Sequence, residues 1–397
     1  MTAFLYYLKE EFHFIKKQAG LILLLFVGIP FLTVWFAGAY ATDYVYHIPI
    51  AVLDEDNSEL SRSIIEHFDK NERFQVTHHV YTRQELQNIL DTKEAYMGLY
   101  IPPDLNENVL SGQTTQVLIL TNGANVIIGN NAYASAATIV QTVSAGASIK
   151  IISVKGSLPQ ISATNMALPF QFTDRMLYDP QMTYMNYLIY GFVAVFFQQL
   201  LLSGLATLIL RNPQETVKEH TLRRLGAKIT AAAGCLILTG SLAILWLHKG
   251  MHVVLTGNVF LALALSILFA IAISCPAILL TAITKDKTKF SQISYMLSLP
   301  TFLTCGYVWP ADQMPFLLKG LIKITWPLIY YARTFDEILV KNLPLKSVLP
   351  NAMHLIIYSA IFMPISIYVW KKRFGEPKET ALSIAETNSI EGIDIYE

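Results

Sequence analysis

The sequence predicts a polytopic α-helical membrane protein of six transmembrane helices with an inserted extracytoplasmic α/β domain. Two observations carry that reading. Six apolar segments, 19–41, 183–210, 229–247, 258–284, 290–308 and 353–370, are separated by short charged turns. Each is near the length of about 20 helical residues that a hydrocarbon core requires. Between the first and the second, a polar stretch over 42–182 alternates strand and helix signals. A chain in lipid has to satisfy every backbone N–H and C=O internally, so the apolar segments are helices. Composition agrees: 53% of the 397 residues are hydrophobic and 15% charged, against about 25% charged in an ordinary soluble domain. The formal net charge is zero, so the basic excess that marks a nucleic-acid partner is missing.

The first eighteen residues place Leu5, Leu8, Phe12 and Ile15 on one helical face, with Lys9, Glu10, Lys16 and Lys17 elsewhere. That pattern predicts an amphipathic helix over 1–18, lying in the cytoplasmic interface ahead of the first span. A partner-binding helix is the alternative. Basic residues set the orientation. Lys9, Lys16, Lys17, Arg211, Lys218, Arg223, Arg224, Lys228, Lys285, Lys287, Lys289, Lys371, Lys372, Arg373 and Lys378 fall on one side of the spans. The other side holds Lys249 in a short loop and Lys319, Lys323, Arg333, Lys341 and Lys346 in the long 309–352 connection. The positive-inside rule puts both termini and the 371–397 tail in the cytoplasm, and 42–182 outside. Ala39-Tyr40-Ala41 resembles a signal-peptidase site. The apolar run before it is long for a signal peptide and Pro30 interrupts it, so the segment is read as a retained anchor.

Within 42–182, residues 47–53 (HIPIAVL) read as a strand, 58–68 as a helix and 74–80 (FQVTHHV) as a second strand. A Thr82–Glu85 capping box opens a helix over 83–90. A third strand over 95–101 stops at Pro102-Pro103, a short helix covers 104–110, and a fourth strand over 116–120 closes at Asn122-Gly123. A long helix of small residues, 126–153, leads through a loop over 156–181 to the second span. This alternation predicts a compact α/β domain.

No catalytic, cofactor-binding or metal constellation is read from these residues. Asp54-Glu55-Asp56 precedes a helix N-terminus, where acids complement the dipole. His78 and His79 alternate faces of a strand and do not converge on one ion. Leu110-Ser111-Gly112-Gln113 matches part of a nucleotide-contacting signature of ABC ATPases, yet it lacks the second glycine and lies outside. No G-x-x-x-x-G-K-[ST] loop exists in the chain. Cys235, Cys275 and Cys305 sit in or beside apolar segments, an odd set that argues for packing rather than disulfides. The spans hold no Asp, Glu, Lys or Arg, and ion-coupled carriers need such groups inside the membrane. The chain either borrows its energy or moves nothing.

The connection 211–228 (RNPQETVKEHTLRRLGAK) is where a partner docks in this reading. Val217, Thr221, Leu222 and Leu225 share a face of a short helix, among Glu215, Lys218, Glu219, Arg223 and Arg224. A solvated basic turn is the alternative. After the fifth span, Gly306-Tyr307-Val308-Trp309-Pro310 leads to Asp312-Gln313-Met314-Pro315. An apolar stretch over 316–329 follows, broken by Gly320 and Pro327, and then Tyr330-Tyr331. It is too broken to span, so 309–352 is expected to form short re-entrant or interfacial helices.

The order of interfacial helix, first span, large outer domain and five further spans resembles the permease (transmembrane) subunits of type-2 ABC exporters. The subgroup is the one with a large extracytoplasmic domain between the first two spans. Residues 51–60 (AVLDEDNSEL) with Ser61-Arg62, Tyr100-Ile101-Pro102-Pro103-Asp104 and 120–125 (LTNGAN) carry the likeness. So do Gly306, Pro310, Met314, Pro315, Pro327 and Tyr330-Tyr331 before the last span, and the match runs to about residue 375. In that family the loop after the second span usually has a charged residue, a glutamate and a glycine before Thr-Leu. Here Lys218-Glu219-His220-Thr221-Leu222 departs at His220.

The resemblance implies a dimeric permease in a bacterial inner membrane, built from two copies or from this chain and a homologue. It would export amphipathic drugs, lipids or similar molecules, a class that Trp35, Phe36, Phe196, Phe197, Tyr295 and Trp309 suit, although aromatics at helix ends more often serve as interface anchors. Two cytoplasmic ABC ATPases would press on Glu215, Lys218, Glu219, Thr221, Leu222 and Leu225. Gly306, Trp309, Pro310, Met314, Pro315, Pro327 and Tyr330 would form the outer gate. A periplasmic adaptor and an outer-membrane channel would engage the insertion, and no cofactor is implied in this chain. The competing class is a membrane-anchored receptor or scaffold whose α/β domain binds a ligand or an envelope partner.

Overall fold

The computed structural model describes residues 2–40, 46–123, 126–168, 177–178, 183–218 and 220–375. Glu219, the end of the 120–125 stretch, most of the 169–182 segment and the tail past 375 lie outside the described residues. The chain divides into two compact units, Met1–Ala41 with Met176–Glu397, and Thr42–Arg175.

Helix α1 covers Thr2–Lys17, and α2 (Ala19–Ile22) and α3 (Gly28–Ala39) flank a π-helical turn at Leu23–Val27. A single wide turn inside a helix is the usual form of π geometry. Here the three pieces form one apolar rod over Ala19–Ala39.

The Thr42–Arg175 unit is a four-stranded sheet in the order β2-β1-β3-β4. Its strands are β1 (Ile48–Asp54), β2 (Phe74–Val80), β3 (Met97–Ile101) and β4 (Leu118–Thr121). β1 pairs in parallel with β2 and β3, and β4 runs antiparallel to β3. The parallel pairs need crossover helices: α4 (Glu59–Asp69) joins β1 to β2 and α5 (Arg83–Asp91) joins β2 to β3. β1 is apolar on both faces because both are covered. Ile48, Ile50 and Val52 pack with Ile64 and Phe68 of α4 and with Ala132, Ala136 and Ile139. Ala51 and Leu53 pack with Leu86 and Leu90 of α5. Helix α6 (Leu105–Ser111) precedes β4, and α7 (Val126–Gly156) follows it.

The caps are local. Ser58 accepts from the Ser61 N–H and Ser61 returns the bond, closing a capping box on α4. Thr82 accepts from the Glu85 N–H at 3.2 Å, but Glu85 reaches back to the Tyr81 N–H, one residue earlier than a capping box requires. The acidic run after β1 is engaged in the same way. Asp54 accepts from the N–H groups of Asp56 and Asn57 and from the Ser61 hydroxyl, and Asp56 accepts from the Asn106 N–H. Within the predicted 156–181 loop, Gln160–Ala167 forms a further helix, α8.

The other unit is a helix bundle around α9 (Tyr184–Ile209). A short α10 (Pro213–Lys218) follows, then α11 (Thr221–Met251), α12 (Val259–Thr284) and α13 (Lys287–Leu303). A helical hairpin, α14 (Phe316–Thr325) and α15 (Leu328–Lys341), precedes α16 (Leu345–Gly375). α9 is buried nearly all round because α3, α11, α12, α13 and α15 all pack on it. Among the described residues, six helices are long and apolar enough to cross a membrane: Ala19–Ala39, Ala132–Gly156, Tyr184–Ile209, Thr221–Gly250, Val259–Thr284 and Leu345–Gly375. Five overlap predicted spans, whereas Ala132–Gly156 belongs to the α/β unit. The predicted 290–308 segment falls on α13, whose 17 residues reach only about 26 Å at 1.5 Å per residue. The three cysteines are buried and free.

Candidate functional site

One end of the bundle holds a cluster of ionic residues from α1, the end of α9 and the start of α11. α1 lies along α11, and its inward side keeps Leu8, Phe12 and Ile15 of the predicted stripe but takes in a charge as well. Tyr7, Glu11 and Ile15 turn inward, while Leu5 is exposed. A charge on the buried side demands a partner, and the partners come from far along the chain. The Glu11 carboxylate accepts from the Lys228 ammonium at 2.8 Å, and Glu10 accepts from Arg211 at 2.9 Å. Lys228 also donates to the Leu208 carbonyl at 2.7 Å, one of the C-terminal carbonyls that α9 leaves without a helical partner. The Arg211 guanidinium lies over the Phe14 ring at 4.0 Å and the Arg224 guanidinium over Tyr7 at 4.6 Å. α1, the end of α9 and the start of α11 are thereby keyed together.

α10 and the first turn of α11 project from this base. Between them His220 holds φ 48°, ψ 41°, a left-handed conformation that glycine adopts without steric cost. His220 holds this conformation with its ring 3.5 Å from the Tyr7 hydroxyl. Of the predicted docking residues, Glu215 is exposed, bonded to Asn212 and 3.6 Å from Arg224. Lys218 ends α10 and Glu219 lies outside the described residues. Thr221 and Leu225 are buried in the bundle, whereas Leu222 is 69% exposed. The expected shared face of Val217, Thr221, Leu222 and Leu225 is corrected accordingly. α11 starts at Thr221 rather than near 229, so residues 221 and 225 follow the inward stripe of a long helix and 222 sits about 100° away. The exposed patch is Gln214, Glu215, His220, Leu222 and Arg223.

The hairpin occupies the other half of the bundle. Gly306 at φ +85° makes the turn after α13, and a Cβ there would meet the Ala311 Cβ at 3.1 Å. Trp309 and Pro310 are exposed, Met314 is half-buried and Pro315 precedes the first residue of α14. α14 ends where Trp326 turns extended, and Pro327, which lacks an N–H, opens α15. The carbonyls freed by that break are satisfied by tyrosines: Lys323 O accepts from the Tyr330 hydroxyl at 3.1 Å and Thr325 O from Tyr358 at 3.0 Å. The Tyr330 ring stacks on His354, 4.8 Å between centroids.

Depth follows from the partners. The Trp326 indole N–H donates to the Gln198 amide oxygen at 2.8 Å. Gln198 is 14 residues past Tyr184 in α9, about 21 Å at 1.5 Å per residue. At the far end of α15, the Leu339 carbonyl accepts from the N–H groups of Thr256 and Gly257 in the α11–α12 turn. The hairpin's break thus lies deep in the bundle and its C-terminal end at the rim. Beside it, Tyr307 donates to the Tyr187 carbonyl and stands 3.4 Å from Asp336. Burial pushes the Asp336 carboxyl up to about 7, with Glu337 adding to the rise and Lys341 opposing it.

The sequence reading set Glu10 on the polar side of the first helix without a partner, and missed Glu11, Gln198, Trp326 and Asp336. Paired glutamines in an otherwise apolar helix were the one available signal.

A family model described as "ABC-2 family transporter protein" matches residues 20–368. The chain is 22% identical over 360 residues to the "Probable multidrug ABC transporter permease YbhR" of Escherichia coli strain K12, covering 87% of this chain and 91% of that protein. The same figures hold for the protein of that name in E. coli O157:H7. With its long apolar helices and a matched region spanning most of its length, this chain belongs to the ABC-2 family of transporter proteins, as a multi-pass membrane protein.

Proposed function

We propose that the chain is the permease subunit of an ABC exporter that moves a hydrophobic or amphipathic substrate out of the cytoplasm or the membrane. A separate ATP-binding subunit drives it. The carrying observation is the patch of Gln214, Glu215, His220, Leu222 and Arg223, exposed on α10 and the first turn of α11, beside the ion pairs that tie Arg211 and Lys228 to α1. A push on α10 has a stiff path into the bundle, because α11 continues unbroken from Thr221 to Met251.

In this reading both termini are cytoplasmic, α13 is the fifth of six spans and the 42–182 insertion is extracytoplasmic. The basic residues around α10 and α11 favour that orientation. Gly306, Trp309, Pro310, Met314, Pro315, Pro327 and Tyr330 shape the hairpin that closes the outer half of the path. A second permease chain completes that path, and the α/β unit engages a periplasmic adaptor and an outer-membrane channel. The multidrug relatives support an amphipathic substrate class.

The test is purification from the native host in mild detergent with identification of bound chains. An ABC-type ATP-binding subunit is expected in the complex. An intact, correctly inserted permease recovered repeatedly without one would overturn the reading. Orientation is checked separately with an impermeant thiol reagent, which is expected to label Asn57→Cys and spare Gln214→Cys in intact cells.

A further inference from the structure

α9 is apolar along most of its length but carries Gln198-Gln199 near its middle, and both side chains are buried. An amide at that depth is costly unless its groups are bonded. Gln198 is bonded at both ends: its oxygen accepts from Trp326 Nε1 at 2.8 Å and its nitrogen lies 3.5 Å from the Thr301 hydroxyl of α13. One side chain therefore joins α9, α13 and the break of the α14–α15 hairpin. The neighbouring seam is less complete. Gln199 donates to Ser294 at 3.1 Å, while Gln199 Oε1 and Ser203 Oγ, one turn apart, are buried with no partner among the described residues. Buried polar atoms without partners call for an explanation, and a seam that pairs fully only in a second arrangement of α9 and α13 supplies one.

We propose that Gln198 is a positioning residue of the transport cycle. Its amide latches the Trp326 tip of the hairpin and α13 onto α9, and breaking the Trp326–Gln198 hydrogen bond lets the tip withdraw toward the outer surface. The role rests on the permease reading above, but the latch itself is a property of this chain alone.

The experiment uses the full-length chain in native membranes without nucleotide. Thr325→Cys places an exposed thiol beside the tip, and its labelling rate with a water-soluble maleimide in the otherwise unchanged chain sets the baseline. Labelling of the native buried cysteines is measured on the parent and subtracted. Trp326→Phe keeps an aromatic ring and deletes the N–H, and Gln198→Leu keeps the volume and deletes the acceptor. Each is expected to raise the labelling rate about fivefold, the scale of one neutral hydrogen bond. The double variant is expected to label no faster than either single one. Rates are taken per inserted molecule, so lower abundance does not mimic the effect. A rise below twofold in both single variants, or multiplying effects in the double variant, would overturn the latch. Recovery of an ATP-binding subunit with the parent chain is scored independently, so failure of the permease reading is separately visible.

Discussion

The Lys228 ammonium meets the Glu11 carboxylate at 2.8 Å, with both side chains more than nine-tenths buried. The residues lie at the two edges of the keyed base, one on α1 and one on α11. Removing one partner leaves a buried charge without its counter-ion, which costs about 3–5 kcal/mol. Replacing both by apolar residues removes that penalty. Glu11→Leu and Lys228→Met are each expected to lower the melting temperature of the detergent-solubilised protein sharply, and the double variant to recover most of the loss. Additive losses in the cycle would mean that the two groups act independently.

His220 gives a second, opposite prediction. A left-handed backbone costs a residue with a Cβ about 1–2 kcal/mol, and glycine avoids the cost. His220→Gly is expected to match or exceed the parent in thermal stability, the gain being trimmed by loss of the Tyr7 contact. His220→Val, which tolerates the conformation least, is expected to melt lower. The reverse order would show that the ring, not the backbone, is what the position requires.

Asp336 makes stability depend on pH. Its carboxyl is raised from the usual 3.8 to about 7, so between those values the folded protein holds this proton more tightly than the unfolded chain does. Stability conferred by this group therefore falls as pH rises across that window and levels off above about 7. The parent is expected to lose more stability between pH 5 and pH 8 than Asp336→Asn, measured by thermal melting in one buffer series. Parallel pH profiles for the two proteins would remove Asp336 as the cause.

What the sequence made legible follows the range of the interactions. The order of strands and helices in 42–175 shows in alternating patterns and in caps such as Ser58 and Thr82, whose partners lie three or four residues away. The apolar rods show by length alone. Glu11 does not show, because a glutamate in an amphipathic helix reads as solvent-facing and its partner is 217 residues later. Trp326 and Gln198 are 128 residues apart, and neither has a local pattern that names the other. The apolar span expected at 229–247 lies inside α11, which is longer than the span. Polarity falls off near residue 229, but nothing between Thr221 and Lys228 breaks a helix, so the rod begins a full two turns earlier and carries Leu225 into the core.

Leu222 tests the central claim, that the α10–α11 corner seats an ATP-binding subunit. Exposed at the corner, Leu222→Asp is expected to leave membrane insertion and melting unchanged while cutting recovery of the ATP-binding subunit by at least tenfold, since an unpaired charge in an apolar contact costs several kcal/mol. Leu225→Asp, buried in the bundle, is expected to lower the amount of folded permease itself. The decisive measurement is the ratio of ATP-binding subunit to permease in purified Leu222→Asp complex. A collapse of that ratio with normal permease abundance is the predicted result, and an unchanged ratio would contradict the account.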